Sequence, residues 1–224
     1  MKPKPSRIER RESQPPSTAE VLRTFIAIEL DDTVRAALGM VQDELKLRIP
    51  RGSVRWVDPA SIHLTLKFLG ETPAARLPEI EMALRAACAS FSPLDLIVEG
   101  RGCFPNFRRP NVIWVAIRDR GNLLARLQQS VEKHIAPLGW PIEKRPFRPH
   151  LTLGRVNRDL RPGDRVAIGA AVEEFEVEQI ATIHVASVSL MRSDLQPSGA
   201  VYTRLFEVPL GTVKDGQKTV ANLC

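Results

Sequence analysis

The tetrapeptide His-Leu-Thr-Leu stands twice in this chain, beginning at His63 and again at His150, once in each half. Repeats this short arise by chance, so the weight comes from residue type: the sequence holds 4 histidines, and two of them open the repeat. The alternating pattern predicts a strand at each place, and a strand sends successive side chains to opposite faces. Leu64 and Leu66 therefore share one face and His63 and Thr65 the other, as Leu151 and Leu153 oppose His150 and Thr152. With the leucines in a core, each strand presents an imidazole and a hydroxyl, two residues apart, on its second face. Halves packed with those faces together line one cleft with two His-Thr pairs.

Around the repeat the two halves follow the same order of elements. Residues 24–30 (TFIAIEL) read as a buried strand, and Asp31-Asp32 opens a helix with Val34, Leu38, Val41 and Leu45 on one face. Strands are expected at 54–57, 62–69 and 94–99, with a turn at Asp58-Pro59 and a helix over 73–90. The second half gives a strand at 112–117, a helix over about 122–138 with Leu123, Leu127, Val131 and Ile135 on one face, and a strand at 147–156. Strands at 180–191 and 201–208 follow, around a turn at 196–199. The segment 100–110 is basic and turn-rich and reads as a loop. Hairpin-length connections mixed with helices point to α+β with antiparallel sheets rather than a doubly wound parallel sheet.

At 224 residues, with 43% hydrophobic and 26% charged residues, the chain has ordinary globular usage and enough length for a real core. No stretch approaches the roughly 20 apolar residues of a spanning helix, so no membrane association is expected. Residues 1–22 are basic and rich in Pro and Ser, and read as a disordered tail without a secretory leader; 23–210 form the domain, and 211–224 a C-terminal tail. Cys88, Cys103 and Cys224 make an odd count with no C-x-x-C spacing, which suits the reducing cytoplasm. A net charge of +6 favours an anionic partner without identifying it. A monomer is the default.

Two imidazoles and two hydroxyls in one cleft suit in-line displacement at phosphorus, with a base on the entering oxygen and an acid on the leaving oxygen. Histidine has both protonation states accessible near neutral pH, and threonine hydroxyls can donate to the non-bridging oxygens where charge develops. A 2′,3′-cyclic phosphate is a strained diester that water can open in this way without a metal. Rival chemistries lack their residues: no third zinc ligand stands at a recognisable spacing, no G-x-S-x-G elbow is present, and no Walker-type or G-x-G-x-x-G loop appears. No metal or other cofactor is expected. His134 on a helix flank and His184 on a late strand have no partner motif and read as structural.

The chain resembles the RNA 2′,3′-cyclic phosphodiesterases, also called 2′-5′ RNA ligases, of the two-histidine phosphoesterase superfamily. The likeness runs through RTFIAIEL (23–30), VRWVDPASIHLTLKFLG (54–70), NVIWVAI (111–117), FRPHLTLGRV (147–156), Ser189 and PSGAVYTRL (197–205). It implies a bilobal fold: two antiparallel β-sheets flanked by helices around a central cleft, with pseudo-two-fold symmetry. It implies His63 as proton donor to the leaving ribose oxygen and His150 as proton acceptor from water, a polarity the residues alone leave open. It implies Thr65 and Thr152 as their companions, Arg155 as a substrate contact, and RNA with 2′,3′-cyclic phosphate ends as partner. The product would be a 2′-phosphomonoester, and members of the family can also join RNA ends through a 2′-5′ linkage. Arg155 can stack on a base, meet a phosphate, or serve as a surface ion-pair partner. Trp56 and Phe147 read as core rather than base platforms, while Arg55, Lys67, Arg108, Arg109 and Arg148 are candidates for a basic rim. Two other readings use the same cleft: an RNA-end binding module without turnover, and a relative acting on small cyclic nucleotides.

Overall fold

The computed structural model describes residues 20–196 and 199–211. In chain order these form β1 (Val21–Glu29), α1 (Asp32–Arg48), β2 (Val54–Trp56), β3 (His63–Pro73), α2 (Leu77–Cys88), β4 (Leu94–Phe104) and β5 (Val112–Arg118). There follow α3 (Leu123–Ile135), β6 (His150–Val156), α4 (Pro162–Glu174), β7 (Ala181–Val185), β8 (Ser187–Gln196) and β9 (Gly199–Pro209). The strands make two antiparallel sheets, one ordered β3-β1-β8-β9 and the other β2-β6-β5-β4-β7. The architecture is α+β with two lobes, as expected.

Each half lends its helix to the other half's sheet. Helix α1 follows β1 of the first sheet but packs with α4 against β7 and β4 of the second, and α3 follows β5 of the second but packs with α2 on β3 of the first. The amphipathic spacing read in the sequence makes this possible. Val34, Leu38, Val41 and Leu45 of α1 are all buried, as are Leu127, Val131 and Ile135 of α3, but the buried leucine at the start of α3 is Leu124 rather than the expected Leu123, which is exposed. Asp31 caps α1, its carboxylate accepting from Val34 N at 2.8 Å, which satisfies one of the donors a helix start leaves free. The leucines of the repeat sit in one continuous core, with Leu64 and Leu151 at 0% exposure. Cutting either to Ala would cost about 2–5 kcal/mol from lost transfer energy and the cavity left behind.

Four features depart from the sequence reading. The single strand at 180–191 is two strands: β7 pairs with β4 in the second sheet, and after Ala186 the chain crosses to pair β8 with β1 in the first. Strand β4 continues to Phe104, through residues read as loop. Helix α4 was not anticipated; its cap position, Arg161, makes no side-chain capping bond and only Ile168, Gly169 and Val172 are buried, so both the start signal and the apolar stripe are weak. Strand β1 begins at Val21, within the stretch read as tail. Residues 1–19 and 212–224, which hold most of the two expected tails, lie outside the described residues, as do Pro197 and Ser198 of the expected turn.

Candidate active site

His63 opens β3 and His150 opens β6, and both are half-buried while Leu64, Leu66, Leu151 and Leu153 are buried. The alternation predicted for both motifs is therefore present at these residues. The two imidazoles are close enough that positive charge on His150 opposes protonation of His63. Each ring is pinned identically: His63 Nδ1 lies 2.9 Å from the Ser61 carbonyl oxygen, and His150 Nδ1 2.7 Å from that of Arg148. A carbonyl can only accept, so Nδ1 carries a proton in both rings and donates it. That leaves Nε2 as the atom that gains or loses a proton. Thr65 and Thr152 lie half-buried two residues along, on the same faces as their histidines.

Both motif strands then bulge at the same place. Thr65 pairs with Ala27 and Phe68 with Phe25, and in the second sheet Thr152 pairs with Trp114 and Arg155 with Val112. Residues two apart on β1 or β5 share a face, so residues three apart on β3 and β6 do so as well; the extra residues are Leu66 and Leu153. Each bulge is held by a glutamine from the helix the other half contributes. Gln42 of α1 donates to Leu153 O at 2.8 Å and to Val57 O at 2.7 Å, and Gln128 of α3 donates to Leu66 O at 3.4 Å. The bulge in β6 returns Arg155 to the face of His150 and Thr152. Across the β2–β6 ladder Arg55 is its direct partner, both exposed, and neither forms an ion pair among the described residues. Like charges placed opposite each other repel, and an anion between them removes the cost.

The surroundings of the two rings differ. His63 stacks against Phe25 at 4.6 Å between centroids and meets the edge of Tyr202 at 4.8 Å. His150 meets Phe104 edge-on at 4.8 Å, and Trp114 lies 6.2 Å away. Trp114 rests on Gly102, where an added Cβ would come within 2.2 Å of its ring, so only glycine fits there. Burial holds both imidazoles below the ordinary value of 6.5, since it disfavours the charged form. The neighbouring charges then act oppositely. Glu29, the cross-strand partner of His63, favours its protonated form, while Arg155 disfavours that of His150. Glu29 is itself fixed by Ser189 Oγ at 2.6 Å and Arg204 Nε at 2.7 Å.

Lys67 is not on the rim. It is 6% exposed and pairs with Glu132 of α3 at 2.5 Å, because the Leu66 bulge reverses strand parity just before it. Trp56 and Phe147 pack against the core as read. Arg55, Arg108, Arg109 and Arg148 are exposed. His134 Nδ1 donates to Ser130 O at 2.9 Å and His184 pairs with Asp95 at 2.8 Å, both on the surface. Sequence reasoning missed Glu29, Phe25, Tyr202, Gln42 and Gln128, all of which reach the site through cross-strand or helix–strand contacts. Among the described residues no group of three or more His, Cys, Asp and Glu gathers as a metal site. A surface recess of about 670 Å³ beside Trp56, Leu47 and Ile49 holds no imidazole and stands apart from this chemistry.

The pattern of the 2′-5′ RNA ligase superfamily matches residues 33–197. An RNA 2′,3′-cyclic phosphodiesterase of Methanothermobacter thermautotrophicus is 32% identical over 182 residues, covering 81% of this chain and 95% of the relative. A protein of the same name from Thermus thermophilus is 36% identical over 196 residues, covering 82% and 88%. A crystal structure of a Thermus thermophilus protein superposes with a TM-score of 0.69 at 30% identity, covering 84% of this chain and 98% of that one. Escherichia coli LigT complexed with 3′-AMP gives 0.68 at 23% identity, covering 86% and 100%, a likeness of fold. With the pattern spanning well over half of the sequence and the relatives aligned along most of their own length, the chain belongs to the 2′-5′ RNA ligase superfamily.

Proposed function

We propose that this protein is an RNA 2′,3′-cyclic phosphodiesterase that opens cyclic phosphate ends to 2′-phosphomonoesters, with His63 as proton donor and His150 as proton acceptor. The observation that carries this reading is the matched pair of imidazoles, each held by Nδ1 with Nε2 left for proton transfer, and near enough that charge on His150 opposes protonation of His63. In the forward reaction His150 Nε2 takes a proton from water as its oxygen bonds to phosphorus. The bond from phosphorus to the ribose 3′ oxygen breaks, and His63 Nε2–H protonates that oxygen. Thr65 and Thr152 donate to the non-bridging oxygens, whose charge rises in the transition state. Arg155 supplies a positive contact to the nucleotide.

The polarity has electrostatic support. Glu29 favours protonated His63, the form a donor needs, and Arg155 favours neutral His150, the form an acceptor needs. The names of the relatives support RNA as the substrate class. With a 5′-hydroxyl in place of water as the attacking group, the same steps join ends through a 2′-5′ linkage. Among the described residues no helix is long and apolar enough to cross a membrane. Cys88 and Cys103 are buried free thiols pushed up to about 12, inert groups compatible with a cytoplasmic setting. The test is phosphorus NMR of a nucleoside 2′,3′-cyclic phosphate incubated with the protein in EDTA. A 2′-monoester signal is expected. Substrate that is bound but unchanged points to a binding module, and activity lost in EDTA and restored by a metal overturns the paired-histidine reading.

A further inference from the structure

We infer that the recess beside Ala116 seats a second nucleoside, the one whose free 5′-hydroxyl takes the place of water as the attacking group; this rests on the phosphodiesterase reading above. The neighbours of the two histidines carry the inference. The order β6-β5-β4 in the second sheet corresponds to β3-β1-β8 in the first, and the residue paired with each histidine is Ala116 in one and Glu29 in the other. Directly paired residues share a face and lie about 5 Å apart at Cβ. Beside His63 that place is filled, for Glu29 stands there, held by Ser189 of β8 at 2.6 Å and Arg204 of β9 at 2.7 Å. Beside His150 the same place is open. Ala116 has only its Cβ, and its neighbour on β4 is Gly100, where an added Cβ would stand 3.7 Å from that of Ala116.

The space so left is a recess of about 460 Å³ whose lining includes Glu99, Gly100, Ala116, Arg118 and Glu178. A water needs roughly 30 Å³, whereas small-ligand sites begin near roughly 300 Å³, so the recess has room for far more than an attacking water. A bulge builds it: Val98 pairs with Ile117 and Arg101 with Val115, so Glu99 and Gly100 together oppose Ala116. Gly100 takes a φ of 75°, which glycine adopts without strain, and its N–H donates to Val177 O at 2.8 Å. At the rim Glu99 pairs with Arg118. The pair offers carboxylate oxygens to ribose hydroxyls or base amines and guanidinium donors to base oxygens and ring nitrogens, with little net charge. Glu178 adds a carboxylate, so the recess suits an uncharged nucleoside with a free 5′-hydroxyl and opposes one with a 5′-phosphate. Its 5′-hydroxyl gives its proton to His150 Nε2 as the oxygen bonds to phosphorus. The bond from phosphorus to the ribose 3′ oxygen breaks, His63 Nε2–H protonates that oxygen, and a 2′-5′ diester with a free 3′-hydroxyl results.

The experiment incubates a trinucleotide bearing a 2′,3′-cyclic end with the protein and excess adenosine, and separates the 2′-5′-joined product from the hydrolysed monoester by chromatography. The readout is the ratio of joined to hydrolysed product, from which any general loss of turnover cancels. Ala116→Leu fills the floor of the recess and is expected to lower the ratio about tenfold, and Glu99→Gln, which removes the charged acceptor, about threefold. An unchanged ratio in Ala116→Leu overturns the inference, as does wild type that hydrolyses the end but joins no adenosine to it. Should Ala116→Leu fail to fold, Glu99→Gln decides in its place, an unchanged ratio again overturning the inference. If wild type neither joins nor hydrolyses, the phosphodiesterase reading fails. The recess is then judged by Kd for adenosine: weakening by the same folded variant upholds a nucleoside site there, and an unchanged Kd or no binding by wild type overturns it.

Discussion

Lys67→Met separates a buried anchor from a rim charge. The Lys67 and Glu132 side chains are 4% and 5% exposed and 2.5 Å apart. Lys67 also donates to Pro141 O at 2.8 Å, while Glu132 accepts from Gln128 at 3.1 Å and from Glu143 N at 3.2 Å. Removing the lysine leaves a carboxylate out of water with two donors and no counter-charge. Breaking a buried pair from one side costs about 3–5 kcal/mol, and the remaining donors place this case near 3. Adding Glu132→Gln removes the stranded charge but keeps an acceptor for only one of the two donors, since Gln128 and Glu143 N bond different carboxylate oxygens. The double variant is therefore expected to recover at least about 1 kcal/mol. Urea unfolding at fixed pH measures both, read as a shift in midpoint at constant m. The pair also ties residues 141–143, on the approach to His150, to the strand bearing His63, so kcat should fall in Lys67→Met. A loss of stability under about 1 kcal/mol, or a double variant weaker than the single, would refute this account of the pair.

Burial and charge around the histidines set a pH dependence. Both imidazoles lie below 6.5, so the bell of kcat/KM is expected to peak on the acid side of that value. Glu29→Gln removes the charge that favours protonated His63, so the alkaline limb should move to lower pH; an unmoved limb would count against His63 as donor. The same burial makes the unfolded chain take up protons before the folded one as pH falls below 6.5. Acid should therefore reduce stability through both rings, and replacing them with neutral residues should flatten that part of a urea-midpoint titration. Arg55→Gln relieves the repulsion with Arg155, so stability should hold while the salt slope of RNA-end binding falls by about 0.7. An unchanged slope removes Arg55 from the substrate path.

The features legible in the sequence were local ones. His63 and His150 stood out because the motif begins at the start of each strand, before any bulge, where alternation is a safe guide. Beyond Thr65 and Thr152 it fails: the extra residue at Leu66 buries Lys67 and exposes Phe68, and the extra residue at Leu153 returns Arg155 to the cleft. Nothing in the order of residues announces a bulge whose carbonyl is satisfied from a distant helix, as Gln128 and Gln42 do. The crossover at Ala186 was hidden for a related reason, since β7 and β8 read as one apolar run and only their partners, β4 and β1, assign them to different sheets. Glu29 lay in a segment read simply as buried strand. Its influence on His63 arises from cross-strand register, and its hold by Ser189 and Arg204 from strands far along the chain.

The most direct test is steady-state turnover of a nucleoside 2′,3′-cyclic phosphate by His63→Ala, His150→Ala and the double variant, each verified as folded by its urea midpoint. If the two imidazoles act as a unit on one phosphorus atom, each single change lowers kcat about 10²- to 10⁴-fold. The double variant should then be scarcely slower than the worse single one. Wild-type turnover in either single variant would contradict the account.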